Sequence, residues 1–172
     1  MTARDRAKWE ARYAGGGHAE SEPLPLLAEA LAFAPRPGRA LDVACGRGRH
    51  AIALARAGYA VDAIDISAAA LASARERAAG LDVRWREADL DGVAVERGAY
   101  AVICCIDFTD DPLLPRLVDA LGVRGLLVYS ARPSALCSFG PREGDLDRWF
   151  ASLETLLRRE GEERVEYAGR RR

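Results

Sequence analysis

The sequence predicts a single α/β domain, a doubly wound Rossmann-like fold with a mostly parallel, seven-stranded sheet and helices on both faces. Three observations carry this. Short β-rich runs alternate with helical runs at the spacing of βαβ units. Tyr100–Ile106 is a continuous apolar run of the kind found in a strand covered on both sides. The last two β-rich runs are separated by only a short turn near Gly161, so they must pair antiparallel and give the sheet an antiparallel C-terminal strand.

Taken in order, Asp5–Tyr13 suits a short helix, with Trp9 and Tyr13 four apart on one face, and Gly15-Gly16-Gly17 ends it. A second helix is expected over Pro25–Phe33, closed by Pro35-Arg36-Pro37-Gly38. Arg39–Val43 reads as the first strand, and His50–Ala57 as a helix with Gly58 placed as its C-cap. Ala60–Asp65 is the second strand, and Ser67 is a natural N-cap for an alanine-rich helix through Ala79. Asp82–Arg86 alternates as the third strand and Tyr100–Ile106 is the fourth. Pro112–Leu121 returns as helix and Gly125–Ser130 as strand; Leu146–Phe150 suits a short helix before the final strands Leu153–Arg158 and Arg164–Ala168. No boundary or repeat divides the chain. Residues 1–172 read as one domain, with 1–20 forming an N-terminal helix able to act as a lid.

The bulk numbers are those of an ordinary globular protein, 49% hydrophobic and 30% charged. A net charge of −1 gives no electrostatic case for nucleic acid or anionic membrane as a partner. The N-terminal stretch is charged and lacks an apolar core, so a secretory signal is not expected. No apolar run approaches the ~20 residues of a membrane span. A cytoplasmic protein with reduced thiols is the expectation for Cys45, Cys104, Cys105 and Cys137, which form no C-x-x-C pair.

In an open α/β sheet, ligands bind beyond the carboxyl ends of the strands where strand order reverses. The first strand-to-helix turn is Asp42-Val43-Ala44-Cys45-Gly46-Arg47-Gly48. A pyrophosphate-binding G-x-G-x-x-G would need glycine at 44, 46 and 49, and Ala44 and Arg49 break it. Asp65 ends the second strand at the distance where a carboxylate reaches ribose hydroxyls.

The run D-x-A-C-G-x-G resembles the first motif of class I S-adenosylmethionine-dependent methyltransferases, with Ala44 in place of the first glycine. The opening Trp9-Glu10-Ala11-Arg12-Tyr13 resembles the W-x-x-R-Y of small tellurite-resistance and thiopurine-type members. With Cys104 through Pro115, the resemblance spans most of the chain. It implies S-adenosylmethionine as cofactor and S-adenosylhomocysteine as product. The site would comprise Asp42, Ala44, Cys45, Gly46 and Gly48, with Asp65 on the ribose and Asp89 on the adenine amino group. Ile66 and Leu90 would sandwich the ring, and Cys105 and Ile106 would pass near the methyl. Trp9 and Tyr13 would lie over the cofactor, although core packing explains that pair equally well.

No catalytic residue can be assigned. His18 and His50 are the only histidines; His18 reads as a surface residue and His50 as packing or capping. Neither lies at metal-ligand spacing from the cysteines, and no metal is expected. Adjacent Cys104 and Cys105 point to opposite faces of a strand and read as core. The expected acceptor is a small molecule, held between the N-terminal segment Trp9–His18, the loop after Ile106 and the loop after Ala131. A silent cofactor-binding module and a nucleotide-dependent oxidoreductase are the alternatives; the failed glycine register weighs against the second.

Overall fold

The computed structural model describes residues 3–15, 22–35 and 38–172. The elements run α1 (Ala3–Ala14), α2 (Pro25–Leu31), β1 (Arg39–Val43), α3 (Arg49–Arg56), β2 (Ala60–Asp65), α4 (Ala68–Arg77) and β3 (Val83–Glu87). They continue with β4 (Tyr100–Ile106), α5 (Leu113–Ala120), β5 (Leu121–Ala131), α6 (Asp145–Trp149), β6 (Leu153–Glu160) and β7 (Val165–Arg171). A single 3-10 turn, Leu90–Gly92, follows β3.

One seven-stranded sheet has the order β3-β2-β1-β4-β5-β7-β6. The first five strands are parallel, and β7 inserts antiparallel between β5 and β6. The expected fold class and the antiparallel pairing of the last two strands are both present. What the sequence left open is that the later strand, β7, lies inside and β6 takes the edge. Strand order reverses between β1 and β4, which opens the crevice that matters below.

Alternation along the strands builds two apolar layers. Leu41, Val43, Ile103, Cys105, Leu127 and Tyr129 join α5 on one face. Ala40, Val102, Cys104, Leu126 and Val128 join α2 and α3 on the other. Cys104 and Cys105 are both fully buried and fall in different layers, as a period of two requires. An aromatic cluster closes the β7 side, with Phe150 stacked on Tyr167 at 4.7 Å and packed edge-on to Tyr129 at 5.5 Å.

Helix ends fall within a few residues of expectation. The clearest differences are in α2 and α4, which stop at Leu31 and Arg77. β5 starts early, at Leu121, because the chain bulges between its pairings with Tyr100 and Val102. Ser67 caps α4 as its sequence position suggests, accepting from the Ala70 amide at 3.1 Å.

Candidate functional site

A cavity of about 500 Å³ opens over the carboxyl ends of the parallel strands at the reversal point. The loops after β1, β2, β3, β4 and β5 all reach it, through Ala44–Arg47, Ile66, Leu90, Ile106–Thr109 and Ala131–Arg132 respectively.

The β1 loop is shaped by positive φ at Ala44 (53°), Gly46 (52°) and Gly48 (76°). The two glycines serve different purposes. A Cβ on Gly46 would stand 2.6 Å from the Tyr13 hydroxyl, on the cavity side. A Cβ on Gly48 would run into the Trp85 ring, 2.8 Å from its Cζ3, with Ala74 Cβ at 3.2 Å. Gly48 therefore admits Trp85 beneath the loop and does not line the cavity. Gly48→Ala is expected to cost about 2–4 kcal/mol of stability, from backbone strain plus overpacking. Denaturant unfolding checks this; a loss below about 0.5 kcal/mol would mean that Trp85 yields freely.

Asp65 is buried, and its two oxygens tie the β1 loop to the turn that leads into α4. Oδ2 accepts from the Gly46 amide at 2.7 Å and Oδ1 from the Ser67 amide at 2.9 Å. Burial lifts its carboxyl above the ordinary range, and the amides partly oppose this. With the Ile66 amide also directed at the carboxylate, part of its acceptor capacity remains, and the side chain lines the cavity.

Asp42 lies underneath, only 1% exposed and outside the lining. One side of its carboxylate takes the Ala51 amide, while Oδ2 has no hydrogen-bond partner among the described residues. Burial, aggravated by the neighbouring Asp65 charge, raises it to about 7.

Helix α1 is fastened across the mouth. Glu10 accepts from Ser67 Oγ at 2.6 Å and from the Ala69 amide at 3.1 Å, at the N-terminus of α4. Arg47 donates to the Tyr13 carbonyl at 3.1 Å. Trp9 stacks on Tyr13 with centroids 6.1 Å apart, and both rings line the cavity. Burial and the Asp65 charge push the Tyr13 hydroxyl up to about 12, so it stays protonated as a donor.

Of the residues singled out by sequence, Trp9, Tyr13, Ala44, Cys45, Gly46, Asp65, Ile66, Leu90 and Ile106 meet at the cavity. Four do not. Asp42 is sealed below the loop, Gly48 faces Trp85, and Cys105 points into the α5 layer. Asp89 caps the 3-10 turn, accepting from the Asp91 amide at 3.1 Å. His50 combines two settings. Its Nε2 accepts from the Leu24 amide at 3.3 Å while the ring also lines the cavity, and burial drops it to about 3. His18 lies outside the described residues.

Sequence reasoning missed the basic lining. Arg12, Arg47, Arg49, Arg77, Arg132 and Arg164 face two carboxylates, Asp65 and Asp107. Asp107, at φ 59°, is held between Arg49 at 2.9 Å and Arg164 at 2.8 Å. Arg12 is the arginine of the W-x-x-R-Y opening, but no motif marks Arg132 or Arg164, because β5 and β7 bring them to the same cavity as Arg49 only in the folded sheet.

Residues 40–122 match the family described as "Methyltransferase domain". An uncharacterized protein of Mycobacterium tuberculosis is 39% identical over 102 residues, which cover 58% of this chain and 37% of that protein. The chain thus spans little more than a third of the curated relative. Among solved structures, TehB from Haemophilus influenzae superposes with a TM-score of 0.76 at 17% identity, covering 95% of this chain and 67% of that one. The N-methyltransferase NodS from Bradyrhizobium japonicum, crystallised with S-adenosyl-L-homocysteine, gives 0.73 at 16% identity, covering 96% and 97%. The sequence match over 40–122 and the sheet order together uphold the class I methyltransferase resemblance, and the likeness to TehB is one of fold. Among the described residues no helix is long and apolar enough to cross a membrane.

Proposed function

We propose that this protein is an S-adenosylmethionine-dependent methyltransferase acting on a small-molecule acceptor. The observation that carries it is one cavity, at the strand-order reversal, shared by the glycine loop, Asp65 and the loops after β4 and β5.

The lining suits the cofactor. Asp65 has lone pairs left for ribose hydroxyls, and Ile66 and Leu90 offer apolar faces for an adenine ring. Arg47 Nε is buried without a hydrogen-bond partner among the described residues, and it would meet the methionine carboxylate. When bound, S-adenosylmethionine supplies a methyl group already activated on a sulfonium, so placing the acceptor in line provides most of the acceleration. The chain's own task is to hold Ile106 and Asp107 at the end of β4, exclude water beneath α1, and orient the acceptor. No side chain needs to act as a conspicuous base. The four free cysteines fit a reducing cytoplasmic setting.

The test is transfer of label from methyl-labelled S-adenosylmethionine into fractionated cell extract. Label is expected in the low-mass fraction. Label confined to tRNA, DNA or protein would overturn the small-molecule reading. Absence of transfer despite S-adenosylhomocysteine binding would favour a silent cofactor-binding module.

A further inference from the structure

We infer that the acceptor is an organic anion, its charged group held by Arg132 and Arg164 and its apolar body resting on Phe139. This rests on the methyltransferase reading and names the substrate class for the acceptor end of the same cavity.

The argument begins with charge. The chain as a whole is at −1, yet the cavity gathers six arginines against two carboxylates, with His50 neutral beside them. A cavity this basic that must also admit a sulfonium cation calls for a negative group on the third party. Topology then divides the arginines. Arg12, Arg47 and Arg77 lie with α1 and the glycine loop, over the β1–β3 half where the ribose carboxylate Asp65 sits. Arg132 and Arg164 lie on the other side, one just past β5 and one just before β7.

Those two are placed to grip a ligand. Arg164 is fixed through a single nitrogen, Nη1, which reaches Asp107 at 2.8 Å and Ser130 Oγ at 3.0 Å. Its Nη2 and Nε make no hydrogen bond among the described residues, so a preorganised guanidinium keeps donors for a carboxylate. Arg132 has no ion-pair or hydrogen-bond partner for its side chain among the described residues. A few residues on, Phe139 lines the same cavity and is 70% exposed, with Leu136 56% exposed in that loop. An uncovered aromatic ring beside free guanidinium donors fits a ligand with an apolar body and an anionic end, and an inorganic oxyanion would leave the ring unused.

The experiment measures binding to protein saturated with S-adenosylhomocysteine, by calorimetry, using hydroxybenzoate, hydroxynaphthoate, the methyl ester of each, and inorganic phosphate. Each carboxylate is expected to bind about 10- to 100-fold more tightly than its ester, the range of one or two charge-assisted hydrogen bonds. Arg132→Gln should shrink that ratio toward one without moving S-adenosylhomocysteine affinity, and Phe139→Ser should weaken the naphthoate more than the benzoate. Equal binding of acid and ester at both ring sizes overturns the inference, as does phosphate binding as tightly as the carboxylates. Those results leave the cofactor reading intact, whereas failure of S-adenosylhomocysteine to bind at the outset removes the parent reading itself.

Discussion

Asp65→Ala is expected to lower stability by about 2–5 kcal/mol and, in the molecules still folded, to weaken S-adenosylhomocysteine binding by tenfold or more. Two losses combine. The Gly46 and Ser67 amides, held at 2.7 and 2.9 Å, lose their buried acceptors, and each orphaned donor costs about 1–3 kcal/mol. The ribose hydroxyls lose a charge-assisted partner as well, worth about 1.5–3 kcal/mol. Asp65→Asn keeps one acceptor oxygen and should fall between wild type and alanine in stability. Urea midpoints at constant m, followed by calorimetry well below the midpoint, separate the two effects. Wild-type affinity in a folded Asp65→Ala protein would remove Asp65 from the cofactor site.

The second large effect is a hidden pH dependence. Asp42 is raised from 3.8 to about 7, so the fold prefers its neutral form. Its contribution to stability is complete below about pH 4 and is lost as pH rises through 7. His50 is lowered from 6.5 to about 3, so the fold again prefers the neutral form, but the slope is reversed. Its contribution is complete above about 6.5 and is lost as pH falls toward 3. Each spans about three pH units, or up to about 4 kcal/mol at 1.36 kcal/mol per unit. Between roughly pH 4 and 6.5 the two slopes oppose each other. Asp42→Asn should uncover the His50 slope, with stability relative to wild type gaining as pH rises from 4 to 7. His50→Gln should do the opposite, relatively gaining as pH falls from 6.5 to 4. Urea unfolding of the three proteins at four pH values checks this. Mutant curves parallel to wild type would show that both groups titrate normally.

The fold was legible because its signals are local. Gly58 and Ser67 punctuate helices, and the apolar run Tyr100–Ile106 announces a doubly covered strand. The part of the cavity around the β1 loop was legible for the same reason, since Ala44 through Arg47 lies on one continuous turn and Asp65 follows at a fixed distance. What spacing could not show is which residues face outward. Gly46 and Gly48 look alike in sequence, yet one meets Tyr13 on α1 and the other Trp85 on β3, contacts made only in the folded chain. Glu10 carries no motif for capping a helix 57 residues away, and it does so because α1 crosses the N-terminus of α4. The arginines around Asp107 were illegible for the strongest reason. Arg49 and Arg164 are 115 positions apart and meet only because β7 returns beside β5.

Calorimetric titration with S-adenosylhomocysteine, run beside NAD and NADP, tests the central claim most directly. One site per chain with a dissociation constant on the order of micromolar, about −8 kcal/mol, is expected, with no heat from either dinucleotide. Tight NAD binding with no response to S-adenosylhomocysteine would contradict it.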